Sequence, residues 1–227
     1  KFADDFVSFL NHNSKQPDTS PEPSIHVQNH LSIDGYVIND LIGVGGEALV
    51  YSGLDEQSNP VAIKLYKKID HFENGLPREV SISNKLDHPG IVKILKFFDI
   101  QNQNEKSYVS IMPLATNGSF RSFESPQLTI EMAVEFLLQI GSVLEYMHSQ
   151  NIIHHDIKPE NILIFDDEFR LSDFSVSIVL NDENQQISDR FGTSFFMAPE
   201  ISRNAYFPKP TDMWSLGITL YVLLFGK

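Results

Sequence analysis

Cysteine is absent from the 227 residues. Disulfide staples and cysteine-ligated zinc are therefore excluded, and a chain without them is expected to be cytoplasmic. Basic residues are scarce: 17 Lys and Arg stand against 30 Asp and Glu, a formal net charge of -13. No basic run offsets this, so phosphate backbones and anionic membrane surfaces are excluded as expected partners. Long apolar runs are missing too. "WSLGITLYVLLFG" falls short of the about 20 residues that a bilayer-spanning helix needs. The N-terminus lacks the basic, apolar and small-residue order of a signal peptide. What is present suits a globular core, since 41% of the residues are hydrophobic. The chain opens at Lys1 and closes at Lys227 straight after an apolar segment, without a polar tail. It is expected to be a piece of a longer one.

Residues 1–34 carry Pro17, Pro21 and Pro23 among Ser, Asn, His and Gln, which favours an extended polar leader. Within it Phe2, Phe6 and Leu10 are spaced for a short helix, lying on the surface or docking on a partner. From Gly35 the character changes. "GYVINDLIGVGG", "EALVYSGLD" and "NPVAIKLYK" are short β-branched and aromatic runs broken by turn residues, and they predict an antiparallel meander. A helix follows with Pro77 as its first residue and Glu79 in its first turn, breaking at "DHPG". "IVKILKFFDI" and "SYVSIMPL" predict two further strands joined by the polar "QNQNEK". Ala133, Phe136, Leu137, Ile140, Val143, Leu144 and Met147 then repeat at three and four residues, an amphipathic helix with Thr129 as its N-cap. Strands first and helices afterwards place the chain in the α+β class, a small β lobe joined to a mostly helical one.

Gly43, Gly45 and Gly46 lie between two predicted strands in "IGVGGEALVY". Glycines there let backbone N–H groups approach an anion, although a plain hairpin turn accounts for them equally well. No helix follows, which argues against a dinucleotide-binding turn. Lys64 closes "VAIK"; a lone lysine at a strand end is usually solvated, but this one falls across the sheet from the glycine turn. In "NIIHHDIKPEN", residues 151–161, His154 and His155 precede Asp156, with Lys158 and Asn161 beyond. Two histidines and a carboxylate invite a metal, yet adjacent histidines rarely converge on one ion. A nucleophile's base is the other reading of the bare cluster.

In order, the glycine-rich turn, "VAIK", Glu79, "HHDIKPEN", "SDFS" at 172–175, "MAPE" at 197–200 and "DMWSLG" at 212–217 resemble the motif series of the eukaryotic protein kinase family, from about Tyr36 to the chain's end. The resemblance implies a two-lobed kinase-like α+β fold at 35–227, with a small lobe at 35–112 and a partial large lobe at 113–227 behind the 1–34 leader. It implies ATP and Mg2+ as cofactors and transfer of the γ-phosphoryl group to a serine or threonine hydroxyl of a protein substrate. By the same resemblance Lys64 would hold the α- and β-phosphates and be oriented by Glu79. Asp156 would take or orient the acceptor proton, Lys158 would steady the γ-phosphate, and Asn161 and Asp173 would ligate magnesium. The ATP site would comprise Ile42, Gly43, Val44, Gly45, Gly46, Val50, Ala62, Lys64, Met112, Pro113, Ala115 and Leu163. Met112 would guard the back of the adenine pocket, and the Pro113 carbonyl and Ala115 backbone would face the adenine edge. His154 would be a structural histidine bonded to backbone near "DFS". Lys158 and Thr193 resemble the serine/threonine branch, and "GTSFFMAPE", "LDHPGIV" and "SLGITLYVLLFG" look most similar to the calcium/calmodulin-dependent protein kinase kinases and their neighbours. Calmodulin would then act only through segments outside this chain. Glu160 would meet a basic residue in a substrate peptide. The alternatives are a pseudokinase, serving as scaffold or nucleotide sensor, and a small-molecule kinase of related fold.

Several positions depart from the family pattern. His155 stands where many relatives carry arginine, making activation by loop phosphorylation less obligatory and allowing part-time charge with mild pH sensitivity. Ser175 replaces the glycine of "DFG" and Ala48 the third loop glycine. Ser83 falls four residues after Glu79, where an apolar residue is usual, and its hydroxyl needs a partner or costs about 1–3 kcal/mol. Later helices of the large lobe are missing from the sequence, so the segment alone is expected to expose apolar surface, leave Glu200 unpaired, and be poorly soluble or inactive.

Overall fold

The computed structural model describes residues 31–67, 69, 72–73, 75–101, 106–120 and 128–226. The helix expected around Phe2, Phe6 and Leu10 lies outside the described residues, as do 102–105 of the polar loop. Chain contacts divide the protein into two compact units, one drawn from Lys1–Ile69 and Leu95–Leu114, the other from Asp70–Ile94 and Ala115–Lys227. Residues 70–94 precede Met112 in the chain but group with the second unit, because Ile82, Leu86 and Ile91 belong to its apolar core.

The first unit is a six-stranded antiparallel sheet in the order β1-β2-β3-β4-β8-β7. Its strands are β1 (Leu31–Ile33), β2 (Tyr36–Val44), β3 (Ala48–Leu54), β4 (Pro60–Tyr66), β7 (Lys96–Gln101) and β8 (Lys106–Pro113). β1 falls within the stretch read as leader. Asp34 and Gly35, at φ 48° and 86°, form the tight turn that pairs it with β2, and "DG" is the dipeptide such a turn favours. The front of the predicted strand at 91–100 is not a strand. Ile91 forms a lone bridge to Leu171, and regular pairing begins at Lys96. Alternation sends Leu49, Tyr51, Val61, Ile63, Leu65, Val109 and Ile111 to one face, where they pack as this unit's core.

In the second unit a two-strand ribbon, β5 (Phe72–Glu73) and β6 (Leu76–Pro77), leads into α1 (Arg78–Ser83). Pro77 is the N-cap rather than the first helical residue, its ψ of 145° still being extended. α2 (Ile130–Ser149) starts where the sequence predicts, with the Thr129 hydroxyl accepting the Met132 N–H at 3.2 Å. Its buried stripe is Ala133, Phe136, Ile140, Val143, Leu144 and Met147; Leu137, expected among them, lies at the stripe's edge and is 40% exposed. Phe136 packs edge-on to Phe120 and Phe169. The last long element, α3 (Lys209–Phe225), buries Thr211, Asp212, Ser215 and Thr219 beside Leu216 and Leu223. Those polar side chains tie down loops: Ser215 donates to the Phe196 carbonyl and Thr219 to that of Ile157. Among the described residues no helix is long and apolar enough to cross a membrane.

Candidate active site

Sheet register assembles the first group of site residues. Gly43 on β2 lies opposite Val50 on β3, and Val50 opposite Lys64 on β4. Ala62 and Lys64 face Met112 and Ser110 on β8. Residues directly opposite share a face, so Val50, Ala62, Lys64 and Met112 line the side of the sheet turned away from its apolar core. Lys64 is buried there, its ammonium 5.3 Å from the centre of the Tyr66 ring. Ile42 and Val44 are 52% and 70% exposed, on strand β2 leading to the turn at Gly45 and Gly46. A Cβ on Gly46 would meet nothing within 4 Å, so there is open space beside this part of the turn. Pro113 ends β8 opposite Val61.

The second group lies on the loop between β9 (Ile152–Ile153) and β10 (Ile162–Phe165), which pairs with β11 (Glu168–Leu171). Asp156 is its hub. The Lys158 ammonium donates to Oδ2 at 2.7 Å, and Asn161 Nδ2 donates to Oδ2 at 3.1 Å and to the Asp156 carbonyl at 2.8 Å. Thr193 donates to Oδ1 twice, through its N–H at 2.8 Å and its hydroxyl at 2.7 Å. That hydroxyl also accepts from Lys158 at 2.8 Å. Thr193 was not among the expected site residues; its place in "GTS" was the available signal. Leu163 is half-buried on β10, facing away from the buried Ile162 and Ile164, and Ala115 is half-buried where the chain enters this unit.

The two histidines divide their work. His154 Nε2 lies 3.1 Å from the Ser172 carbonyl, which can only accept, so Nε2 carries the proton; Nδ1 accepts the Asp156 N–H at 3.2 Å. Both nitrogens are committed within the protein, and the ring packs edge-on to Phe174 at 5.3 Å. His155 is held at φ 68°, with its buried ring stacked on Phe191. Among the described residues neither ring nitrogen has a hydrogen-bond partner of full bonding geometry, although the Val176 main chain lies near enough to favour the charged form. Burial pushes its pKa below the ordinary 6.5, against the pull of Asp212. For the part-time charge expected of His155 the structure supplies a direction: burial favours the neutral ring.

Asp212, 0% exposed in the first turn of α3, fixes both histidines from behind. Its carboxylate accepts the His154 N–H at 3.0 Å and the His155 N–H at 2.9 Å, and meets His148 Nε2 at 2.8 Å. Burial alone would push this carboxyl up. The His148 hydrogen bond and the surrounding His155, His148 and His154 rings more than offset it, and the net shift is downward.

Two of the departures from the family pattern, Ser83 and Ser175, find physical accounts. Ser83, 1% exposed, accepts the Ile94 N–H at 3.2 Å, so its hydroxyl is not stranded. Ser175 does not occupy a positive φ; Asp173 does, at 65°, and glycine's freedom is not called on at position 175. Glu79 is buried in the first turn of α1. Residues after Asp173 are anchored as well. β12 (Ile178–Val179) pairs with β9, Ile187 and Tyr206 exchange backbone bonds at 3.0 Å, and the Tyr206 hydroxyl donates to the Asp189 carbonyl. Burial, with Asp189 and Asp212 nearby, raises that phenol to about 12.

Donor chemistry fits a hard cation. Asn161 spends its amide hydrogens on Asp156, which leaves Oδ1 as an oxygen ligand. Asp173 follows Ser172, whose N–H and hydroxyl both bond the Asn161 carbonyl. Among the described residues no three His, Cys, Asp or Glu side chains form a self-sufficient metal cage. A set of one amide and one carboxylate oxygen suits magnesium, which completes its shell with water and phosphate oxygens.

Comparison with known proteins agrees with this geometry. Residues 36–227 match the family model described as "Protein kinase domain". The chain is 30% identical over 203 residues to calcium/calmodulin-dependent protein kinase type 1 of Macrobrachium nipponense, covering 85% of this chain and 57% of the relative. It is 32% identical over 197 residues to calcium-dependent protein kinase 3 of Plasmodium yoelii yoelii, covering 82% and 35%. It is 32% identical over 201 residues to myosin light chain kinase A of Dictyostelium discoideum, covering 84% and 66%. The matches thus span between about a third and two thirds of these relatives' lengths. None of the three is a kinase kinase, so the closer kinship expected from "GTSFFMAPE" rests on motifs alone. With its family match over 36–227 and these serine/threonine kinases among its relatives, the chain belongs to the eukaryotic protein kinase family, on its serine/threonine branch.

Proposed function

We propose that the protein transfers the γ-phosphoryl group of ATP to a serine or threonine hydroxyl of a protein substrate, with magnesium bound. The observation that carries this reading is the Asp156 carboxylate, held by Lys158, Asn161 and Thr193 with every donor at 3.1 Å or closer. A carboxylate so fixed can take the proton of an acceptor hydroxyl as its oxygen forms the new bond to phosphorus. Lys158, on the same carboxylate, offers a cation to the charge that develops on the transferred group. Asn161 Oδ1 and the Asp173 carboxylate are the magnesium ligands, and the metal supplies charge neutralisation when bound. Lys64 and the turn at Gly43, Gly45 and Gly46 serve the phosphates, while Val50, Ala62 and Met112 offer an apolar floor to the base. Lys64 is buried beside the Tyr66 ring, an aromatic face that favours a cation.

The test is magnesium-dependent transfer of labelled phosphate from ATP to a mixed Ser/Thr peptide pool by the whole protein. Asp156→Asn is expected to lower kcat by about 100-fold or more while nucleotide affinity stays within about twofold. Nucleotide binding without turnover in the wild-type protein would replace this reading with that of a nucleotide-sensing pseudokinase.

A further inference from the structure

Lys67 follows the last residue of β4 and lies three positions beyond Lys64. Its main-chain N–H donates to the Glu47 carbonyl at 2.8 Å, and its ammonium donates to the Gly45 carbonyl at 2.9 Å. Gly45 N–H closes the same turn on the Ala48 carbonyl at 2.9 Å. One residue therefore clamps the glycine turn at two carbonyls, from the end of the strand that carries Lys64. An exposed lysine bonded to a turn carbonyl ordinarily contributes little to stability. Its location makes this one different.

The peptide joining Gly45 to Gly46 is planar and trans, so its C=O and N–H point in opposite directions. Holding the Gly45 carbonyl on the Lys67 ammonium fixes the direction of the Gly46 N–H. A cation on the carbonyl also polarises the peptide and makes that N–H a stronger donor. Among the described residues the Gly46 N–H donates no backbone hydrogen bond, and nothing lies within 4 Å of where a Cβ on Gly46 would stand. The geometry points to Lys67 as a positioning residue for phosphate recognition: through the Gly45 carbonyl it presents the Gly46 amide to a nucleotide's phosphates. This rests on the nucleotide-binding reading of the glycine turn. Lys64 and Lys67 thus divide the task, the first as a buried cation on the sheet's face, the second acting through the backbone.

The test compares adenosine and ADP binding to the whole protein by calorimetry, for wild type, Lys67→Gln and Lys67→Arg, with hydrogen exchange of the segment 43–48 in nucleotide-free protein. Lys67→Gln is expected to weaken ADP by about 3- to 10-fold, leave adenosine unchanged and speed exchange in the turn. Lys67→Arg, which keeps a charged donor, is expected to stay near wild type. Unchanged ADP affinity in Lys67→Gln, or equal losses for both ligands, overturns the inference. Lost ADP affinity with unchanged exchange overturns it too, by making Lys67 a direct phosphate contact. A wild-type protein that binds ADP no better than adenosine removes the phosphate-binding reading of the turn itself, and the role of Lys67 with it.

Discussion

Gly192 stands at φ 97°, and a Cβ there would run into the carbonyl oxygen of His155. The next residue, Thr193, makes both of its bonds to Asp156 from this position. Gly192→Ala is accordingly expected to cost about 1–3 kcal/mol of stability and to reduce kcat by about 10-fold or more, because a small displacement of Thr193 breaks near-attack geometry. Chemical unfolding and peptide phosphorylation measure the two effects; a variant equal to wild type in both would refute the close approach. Thr193 was visible in "GTS", but its attachment to a carboxylate 37 residues earlier was not. Ser83 teaches the same lesson. A hydroxyl in an apolar setting was legible as a cost, and the N–H of Ile94 that satisfies it becomes a neighbour only once the chain turns back.

Among the elements, α2 was the most legible, since a 20-residue helix repeats its apolar stripe often enough to fix face and start together. Thr129→Ala removes the acceptor for the Met132 N–H and is expected to destabilise the protein by about 1 kcal/mol, with Thr129→Ser keeping the acceptor and most of the stability. Thermal melting of the two variants checks it, and equal melting of Thr129→Ala and wild type would refute the cap. Short elements were read less well. β1 has only three residues, too few for alternation to show, although the Asp34–Gly35 turn beside it was a usable sign. The apolar run at 91–95 has strand-like composition, yet its residues serve the second unit's core at Ile91 and Val92 and pair with Leu171. Composition cannot tell a strand from an extended buried connector.

At the scale of the whole molecule, one buried carboxylate couples the last helix to the catalytic loop, and that coupling depends on pH. His155 has its pKa pushed below 6.5, so in acid the unfolded chain takes up a proton there that the folded chain refuses. Stability is therefore expected to fall as pH drops below about 6.5, down to the folded-state pKa. Asp212 acts lower: its depressed pKa contributes stability above the ordinary 3.8 that disappears as pH falls through its folded-state value. His155→Asn, a residue that tolerates positive φ, is expected to flatten the melting temperature between pH 7.5 and 5.5 relative to wild type. Parallel profiles for the two proteins would show that burial of His155 does not set the acid response.

By itself the sequence determined the family, the order of strands and helices, and the chemical types at the site. Those depend on local spacing, turn residues and an ordered motif series, all written along the chain. Tertiary structure alone decided that His155 is buried and its pKa pushed down, that Ser83 has a partner, that Thr193 belongs to Asp156, and that Lys67 reaches back to the glycine turn. Each of these depends on which distant atoms approach within hydrogen-bond distance and on how much water is excluded. Spacing along a chain does not encode such long-range contacts until the backbone is folded.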